Sequence, residues 1–165
     1  MADTDPTIPS DDLPADSAWL SLPEVEVYKQ DRRSRVWRVE DDAGRPWVVK
    51  RFEHSPLRQK ITAAFGQHPA HREMNWHAKL IAAELPVVPI AATGQDDLGR
   101  HWLVTPWRGD DLRAWIEHGR LADDITQRHA LTRQLGELAG RIMQMRVFNR
   151  DFKARNFVID DAGKV

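Results

Sequence analysis

The sequence holds 165 residues with a formal net charge of −1, 41% of them hydrophobic and 30% charged, the balance of a globular chain large enough for one domain or two small lobes. That charge excludes the strong one-sign field of indiscriminate nucleic-acid binding, and no nucleic-acid partner is expected. The absence of cysteine excludes disulfides, thiolate metal sites and cysteine nucleophiles, and with neither a signal peptide nor a run of about 18 apolar residues the expected location is cytoplasmic.

Residues 1–17, "MADTDPTIPSDDLPADS", are acidic, proline-rich and poor in large apolar side chains, so they read as a disordered tail. The folded part begins near "AWLSLPEVEVYKQ", where Val25 and Val27 start an alternating pattern. In "SRVWRVE" Val36 and Arg38 fall on one face of a strand and Trp37 and Val39 on the other. The turn residues "DDAG" and the β-rich "RPWVVKRF" complete a hairpin over 35–52, with Lys50 inside its second strand.

From about Ala70 the period changes. Met74, Ala78, Ile81 and Leu85 recur at steps of four, three and four, which predicts an amphipathic helix carrying Glu73 near its start and ending at Pro86. "PVVPIAATG" and "RHWLVTPW" flank the turn "QDDLG" and predict a second hairpin. "GDDLRAWIEHG", with two candidate aspartate caps and a closing glycine, predicts a short helix. Leu131, Leu135, Leu138, Ile142 and Met145 predict a long one. At the end "NFVI" and "KV" bracket "DDAG" as a hairpin whose second strand has barely begun. No internal repeat is visible, and two lobes joined near "TPWRGDD" fit the order of elements.

The chemistry gathers in "NRDFKARNFVI", residues 149–159. Asp151, on a loop, can accept a proton from a hydroxyl nucleophile as it attacks. Lys153 can neutralise charge on a transferring phosphoryl group, and Asn156 offers a neutral oxygen suited to magnesium. Upstream, Lys50 on a strand and Glu73 on the following helix form a candidate ion pair that would keep a cleft lysine charged and aimed at nucleotide phosphates. Of the histidines, which include His68, His71 and His77, the last two lie six apart and miss the four-residue spacing of a helical zinc site, and core packing accounts for most of the seven tryptophans.

With these residues in view, the chain resembles the protein-kinase-like superfamily from about residue 25 onward. "WVVK" is similar to the V-A-I-K strand, and "NRDFKARN" to H-R-D-L-K-x-x-N with Asn149 in the histidine's place. Within the superfamily it is most similar to the bacterial lipopolysaccharide core (Kdo/heptose) kinases. The arginine-rich "KQDRRSRVWRVE", the helix "HREMNWHAKLIAAELPVVPI" and the "RDFKARNFVI" loop carry that likeness.

The resemblance implies an α+β, two-lobe kinase-like fold. An N-lobe over 18–107 would hold an antiparallel sheet with one helix, and 108–165 would begin a helical C-lobe. It implies ATP and magnesium as cofactors, with Lys50 and Glu73 binding nucleotide, Asp151 and Lys153 catalytic and Asn156 on the metal. The acceptor would be a sugar hydroxyl of the lipid A core, reached in the cytoplasm at the inner face of the inner membrane through peripheral contact.

Two departures qualify the expectation. No glycine lies between Val25 and Val39, so the G-x-G-x-x-G phosphate loop is missing, and Arg32, Arg33 and Arg35 are the basic side chains in its place. The D-F-G aspartate that anchors magnesium in the family would follow the strand that "KV" begins. The expectation is thus a C-terminally incomplete kinase with negligible catalysis alone, a partly uncovered Leu131–Ile142 stripe, and a need for the missing segment or a partner chain. The alternatives are a non-catalytic pseudokinase or scaffold, a small-molecule or protein kinase of the same superfamily and, last, a basic nucleic-acid module on Arg32, Arg33, Arg35 and Arg38.

Overall fold

The computed structural model describes residues 18–53, 69–121, 124–145, 153–160 and 162–165; the acidic tail expected over 1–17 lies outside them. The chain divides into two compact units. One comprises residues up to Asn75 with Pro89–Trp107, the other Trp76–Val88 with Arg108–Val165.

The first unit is built on an antiparallel sheet of five strands: β1 (Glu24–Gln30), β2 (Ser34–Glu40), β3 (Pro46–Phe52), β4 (Ala92–Gln95) and β5 (His101–Pro106), in the order β1-β2-β3-β5-β4. Strand alternation decides its faces. Trp37, Val39, Trp47, Val49, Trp102 and Val104 point to one side and form a core with Trp19, which arrives from a single 3₁₀ turn at Ala18–Leu20. Trp19 meets Trp47 edge-on, with ring centroids 5.0 Å apart, the arrangement that aromatic quadrupoles favour. On the other side Phe52 and Leu103 pack with Ala70 of helix α1 (Pro69–Ala82).

Both long hairpins close through the same five-residue turn. In "DDAGR" (41–45) and "DDLGR" (96–100) the first aspartate's N–H donates to the carbonyl of the basic residue, at 3.1 and 3.0 Å. Its carboxylate accepts the amide of that residue at 2.8 Å and its guanidinium Nε at 2.7 Å. Gly44 and Gly99 have φ of 75° and 72°, a conformation with little steric cost only for glycine. "DDAGK" (160–164) repeats the backbone scheme, Asp160 N–H to Lys164 carbonyl at 2.9 Å.

Helix α1 corrects one boundary. It stops at Ala82 rather than at Pro86, and the chain turns through Glu84 at φ 53°. Leu85 N–H then reaches back to the Leu80 carbonyl at 3.0 Å and Glu84 N–H to that of Ile81 at 2.8 Å, a Schellman closure. The closure buries Leu85, whereas Met74 and Ile81 of the expected apolar stripe are exposed. The Arg141 guanidinium donates to the carbonyls of Ala83 and Glu84, at 3.2 and 2.6 Å, placing a cation at the negative end of the helix. A glutamate in the left-handed region costs about 1 kcal/mol relative to glycine. Glu84→Gly is therefore expected to raise the thermal midpoint by roughly 2–4 °C in a scanning calorimeter, and a fall would show that the glutamate side chain stabilises the turn.

The second unit contains β6 (Asp110–Asp111), α2 (Leu112–Glu117), α3 (Ile125–Gln144), a 3₁₀ turn at Ala154–Asn156 and β7 (Val158–Ile159). Asp111 caps α2 by accepting the Ala114 N–H at 2.8 Å. Asp124 caps α3 through Thr126 and Gln127, satisfying donors that a helix start leaves open. Leu112, Trp115, Leu131, Phe157 and Ile159 are the buried core, with Leu135 and Leu138 partly covered against it. The terminal segment departs from expectation: β7 pairs antiparallel with β6, Asp110 opposite Ile159 and Asp111 opposite Val158, and 164–165 form no strand. The expected turn at 160–164 forms, but the strand before it takes its ladder from the segment preceding α2.

Candidate active site

Lys50 is in the middle of β3, and the β-ladder fixes what surrounds it. Reading across the sheet, Lys29, Val36, Lys50, Leu103 and Thr93 form one row, and Arg38, Val48 and Thr105 the next. Directly opposed residues share a face, so all of these lie on the side away from the tryptophan core. Phe52 follows Lys50 on that face, with the ammonium 5.2 Å from its ring centroid. Val36 and Val48 thus flank Lys50 as partly exposed apolar side chains on that face.

The Lys50 ammonium donates to both oxygens of Glu73 on α1, at 2.6 and 2.5 Å. The two side chains are 26% and 37% exposed, so the pair is reachable by solvent and by a polar ligand. Ala70, one turn before Glu73, is what seats the helix against Phe52 and Leu103. The pairing expected from strand and helix positions is therefore formed, and packing on the same face aims it.

The turn where a glycine-rich loop would lie is closed by Asp31. Its carboxylate accepts the amides of Arg33 and Ser34, at 2.8 and 2.9 Å, and pairs with Lys29 at 3.1 Å. These amides, with the Lys29 ammonium, hold the Asp31 carboxyl down at about 2. Arg32 and Arg33 are exposed. Arg35 belongs to the opposite face, stacked over Trp37 at 5.3 Å and paired with Glu24 at 2.7 Å.

In the second unit Lys153 and Asn156 bracket the 3₁₀ turn, both exposed, with Asn156 N–H donating to the Lys153 carbonyl at 2.9 Å. Phe157 and Ile159 anchor the turn in the core, and the Leu112 N–H donates to the Phe157 carbonyl at 2.8 Å. Gly109 makes the β6–β7 approach possible: at φ 140° a Cβ there would stand 2.1 Å from the Ile159 carbonyl oxygen. Asp151 lies outside the described residues. The structure thus joins Lys50 to Glu73, and Lys153 to Asn156.

A separate cavity of about 230 Å³ is lined by Ala70, His71, Met74, Gln95 and His101 among others. Burial, and then the neighbouring His71, press the pKa of His101 below the usual histidine value. Neither Lys50 nor Glu73 lines it. Among the described residues no group of three or more histidine, cysteine or acidic side chains is placed to hold a metal, and no helix is long and apolar enough to cross a membrane.

Sequence reading missed the apolar residues that flank Lys50. Val36 and Val48 carry no chemical signature, and Lys29 reads as facing the opposite way from Lys50 unless the irregularity in β1 is known.

No curated protein matches the chain. Residues 24–156, from the first residue of β1 to the last of the 3₁₀ turn, match the family described as APH, phosphotransferase enzyme family. The matched span takes in the sheet, the Lys50–Glu73 pair and the loop that ends on Asn156, and the chain belongs to this phosphotransferase family.

Proposed function

We propose that the protein transfers the γ-phosphate of ATP, with magnesium, to a sugar hydroxyl, and that it is of the lipopolysaccharide core kinase type. The observation that carries the nucleotide reading is the Lys50–Glu73 pair on the sheet face that also carries Val36 and Val48. A carboxylate keeps the lysine charged and extended, and the ammonium can then bind phosphate oxygens beside a base resting on Val36 and Val48. Magnesium would take most of its coordination from water and phosphate oxygens. Asn156, exposed on an anchored turn, would supply one neutral oxygen, and the ion would stabilise charge on the transferring group. Asp151 would take the acceptor's proton and Lys153 would neutralise charge on the phosphoryl group.

Three stretches support the lipopolysaccharide subtype. They are the basic β1–β2 segment, the helix running into "LPVVPI", and the "RDFKARNFVI" loop. An acceptor embedded in a lipid surface places the work at the cytoplasmic side of the inner membrane, through peripheral contact.

Two measurements test the reading. ATP with magnesium should raise the thermal midpoint of this chain, because a ligand that binds only the folded state stabilises it; the absence of any shift at millimolar ATP would remove the nucleotide reading. Asp151→Asn should lower kcat for lipid A core phosphorylation by roughly 10²–10⁴-fold, the contribution of a general base, with ATP affinity unchanged. Full activity in that variant would take the proton-accepting role away from Asp151.

A further inference from the structure

We propose that Lys29 is a second phosphate-binding cation of the nucleotide site, standing in for the loop amides that a glycine-rich turn would offer. The inference deepens the ATP reading above and rests on it. Residues two apart on a regular strand share a face, and Val27 is opposite Trp37 of the core, so a regular β1 would turn Lys29 toward the tryptophans. The register shifts between Val27 and Lys29, and Lys29 instead stands opposite Val36. Val36 is in turn opposite Lys50. The bulge at Tyr28 therefore moves one lysine onto the face of the other, the kind of re-aiming for which bulges are kept beside functional sites.

The side-chain contacts agree with that placement. The Lys29 ammonium donates to Ser34 Oγ at 2.9 Å, and Ser34 stands opposite Phe52, on the face that Val36 and Lys50 share. Ser34 is itself buried, 4% exposed. Asp31 takes a second donor of the ammonium, which among the described residues leaves one of its three for a ligand. Two strand spacings of about 4.8 Å separate the backbones of Lys29 and Lys50, a gap that a polyphosphate chain can bridge.

Asp31 explains why a side chain is needed. It consumes the Arg33 and Ser34 amides, two of the groups through which a phosphate-cradling turn would work. The carboxylate that closes the turn also tethers Lys29, so the same residue withdraws the amide donors and presents the ammonium.

The test compares ligands that differ in phosphate number. Isothermal titration of wild type, Lys29→Ala and Lys29→Arg with ATP·Mg and with adenosine should show Lys29→Ala weakening ATP·Mg by about tenfold, the loss of one charge-assisted contact. Adenosine should change less than about twofold, and Lys29→Arg should recover most of the ATP·Mg affinity. If wild type binds ATP·Mg and Lys29→Ala binds it equally well, or loses adenosine in the same proportion, the proposal is overturned and the nucleotide site stands. If wild type binds neither ligand, the ATP reading fails and takes this proposal with it.

Discussion

Asp41→Ala is expected to lower the stability of the protein by about 3 kcal/mol, close to 10 °C in thermal midpoint, a large effect for a polar side chain in a turn. Asp41 is 7% exposed, and its carboxylate accepts four N–H groups: the amides of Ala43 and Arg45, the Arg45 guanidinium, and the Trp47 indole at 3.0 Å. Removing it strands the indole donor of a tryptophan that is 1% exposed, and an unsatisfied buried donor costs more than the bond was worth. The ion pair contributes little by comparison, because Arg45 is itself partly in solvent.

The repeated turn supplies an internal comparison. Asp96 accepts the same backbone and guanidinium donors but no indole, and Asp160 accepts the Lys164 amide in an exposed setting. The expected order of loss on alanine substitution is Asp41, then Asp96, then Asp160, read from urea midpoints at constant m-value. Equal losses would mean that the turn backbone, and not the buried acceptor, is what matters.

The same geometry fixes the sign of the acid response. Burial opposes ionisation of Asp41, but the Trp47 indole, the Arg45 amide and the Arg45 guanidinium outweigh it and hold the carboxyl below its ordinary value. Asp96 is depressed by the corresponding balance against burial. A depressed pKa means stability that is fully present above the unfolded value near 3.9 and is lost as pH falls through the folded one. Unfolding below about pH 4 should therefore be steep in wild type and shallower in Asp41→Asn, which no longer titrates there.

How much of this was legible in the sequence depends on the distance over which each feature is decided. Strand alternation and hairpin turns are local, and the faces of Trp37, Val39, Val36 and Arg38 follow from a period of two. The Lys50–Glu73 pair was reachable because a strand lysine followed by a helix glutamate has one strong physical reason to meet. Helix α1 shows where periodicity stops informing: the step of Met74, Ala78, Ile81 and Leu85 located the helix, yet Met74 and Ile81 are exposed and only Leu85 is buried. What covers a stripe is a tertiary fact. Its C-terminus was misplaced because the closing residue is a glutamate rather than a glycine, so the usual stop signal is absent. The pairing of β7 with β6 joins residues 48 or so positions apart, beyond the reach of any hairpin rule. Lys29 depends on a one-residue bulge, and a single slip exchanges the faces of every residue beyond it.

Lys50→Met is expected to reduce ATP·Mg affinity by at least about 100-fold, and any phosphoryl transfer with it, while moving the thermal midpoint by no more than about 3 °C. The small stability effect follows from exposure: a pair left 26% and 37% accessible is worth at most about 1 kcal/mol to the fold. The large binding effect has two sources. The substitution removes the cation, and it leaves the Glu73 carboxylate unneutralised beside the position a polyanion must take. Glu73→Gln alone removes the partner but keeps the positive charge, so its effect on ATP·Mg affinity should be smaller. The double substitution, free of the stranded carboxylate, should bind ATP·Mg better than Lys50→Met, a coupling that identifies the pair as part of a phosphate site. A purely structural pair would behave differently: Lys50→Met would leave ATP·Mg affinity within about twofold of wild type, and the double variant would gain nothing in nucleotide affinity.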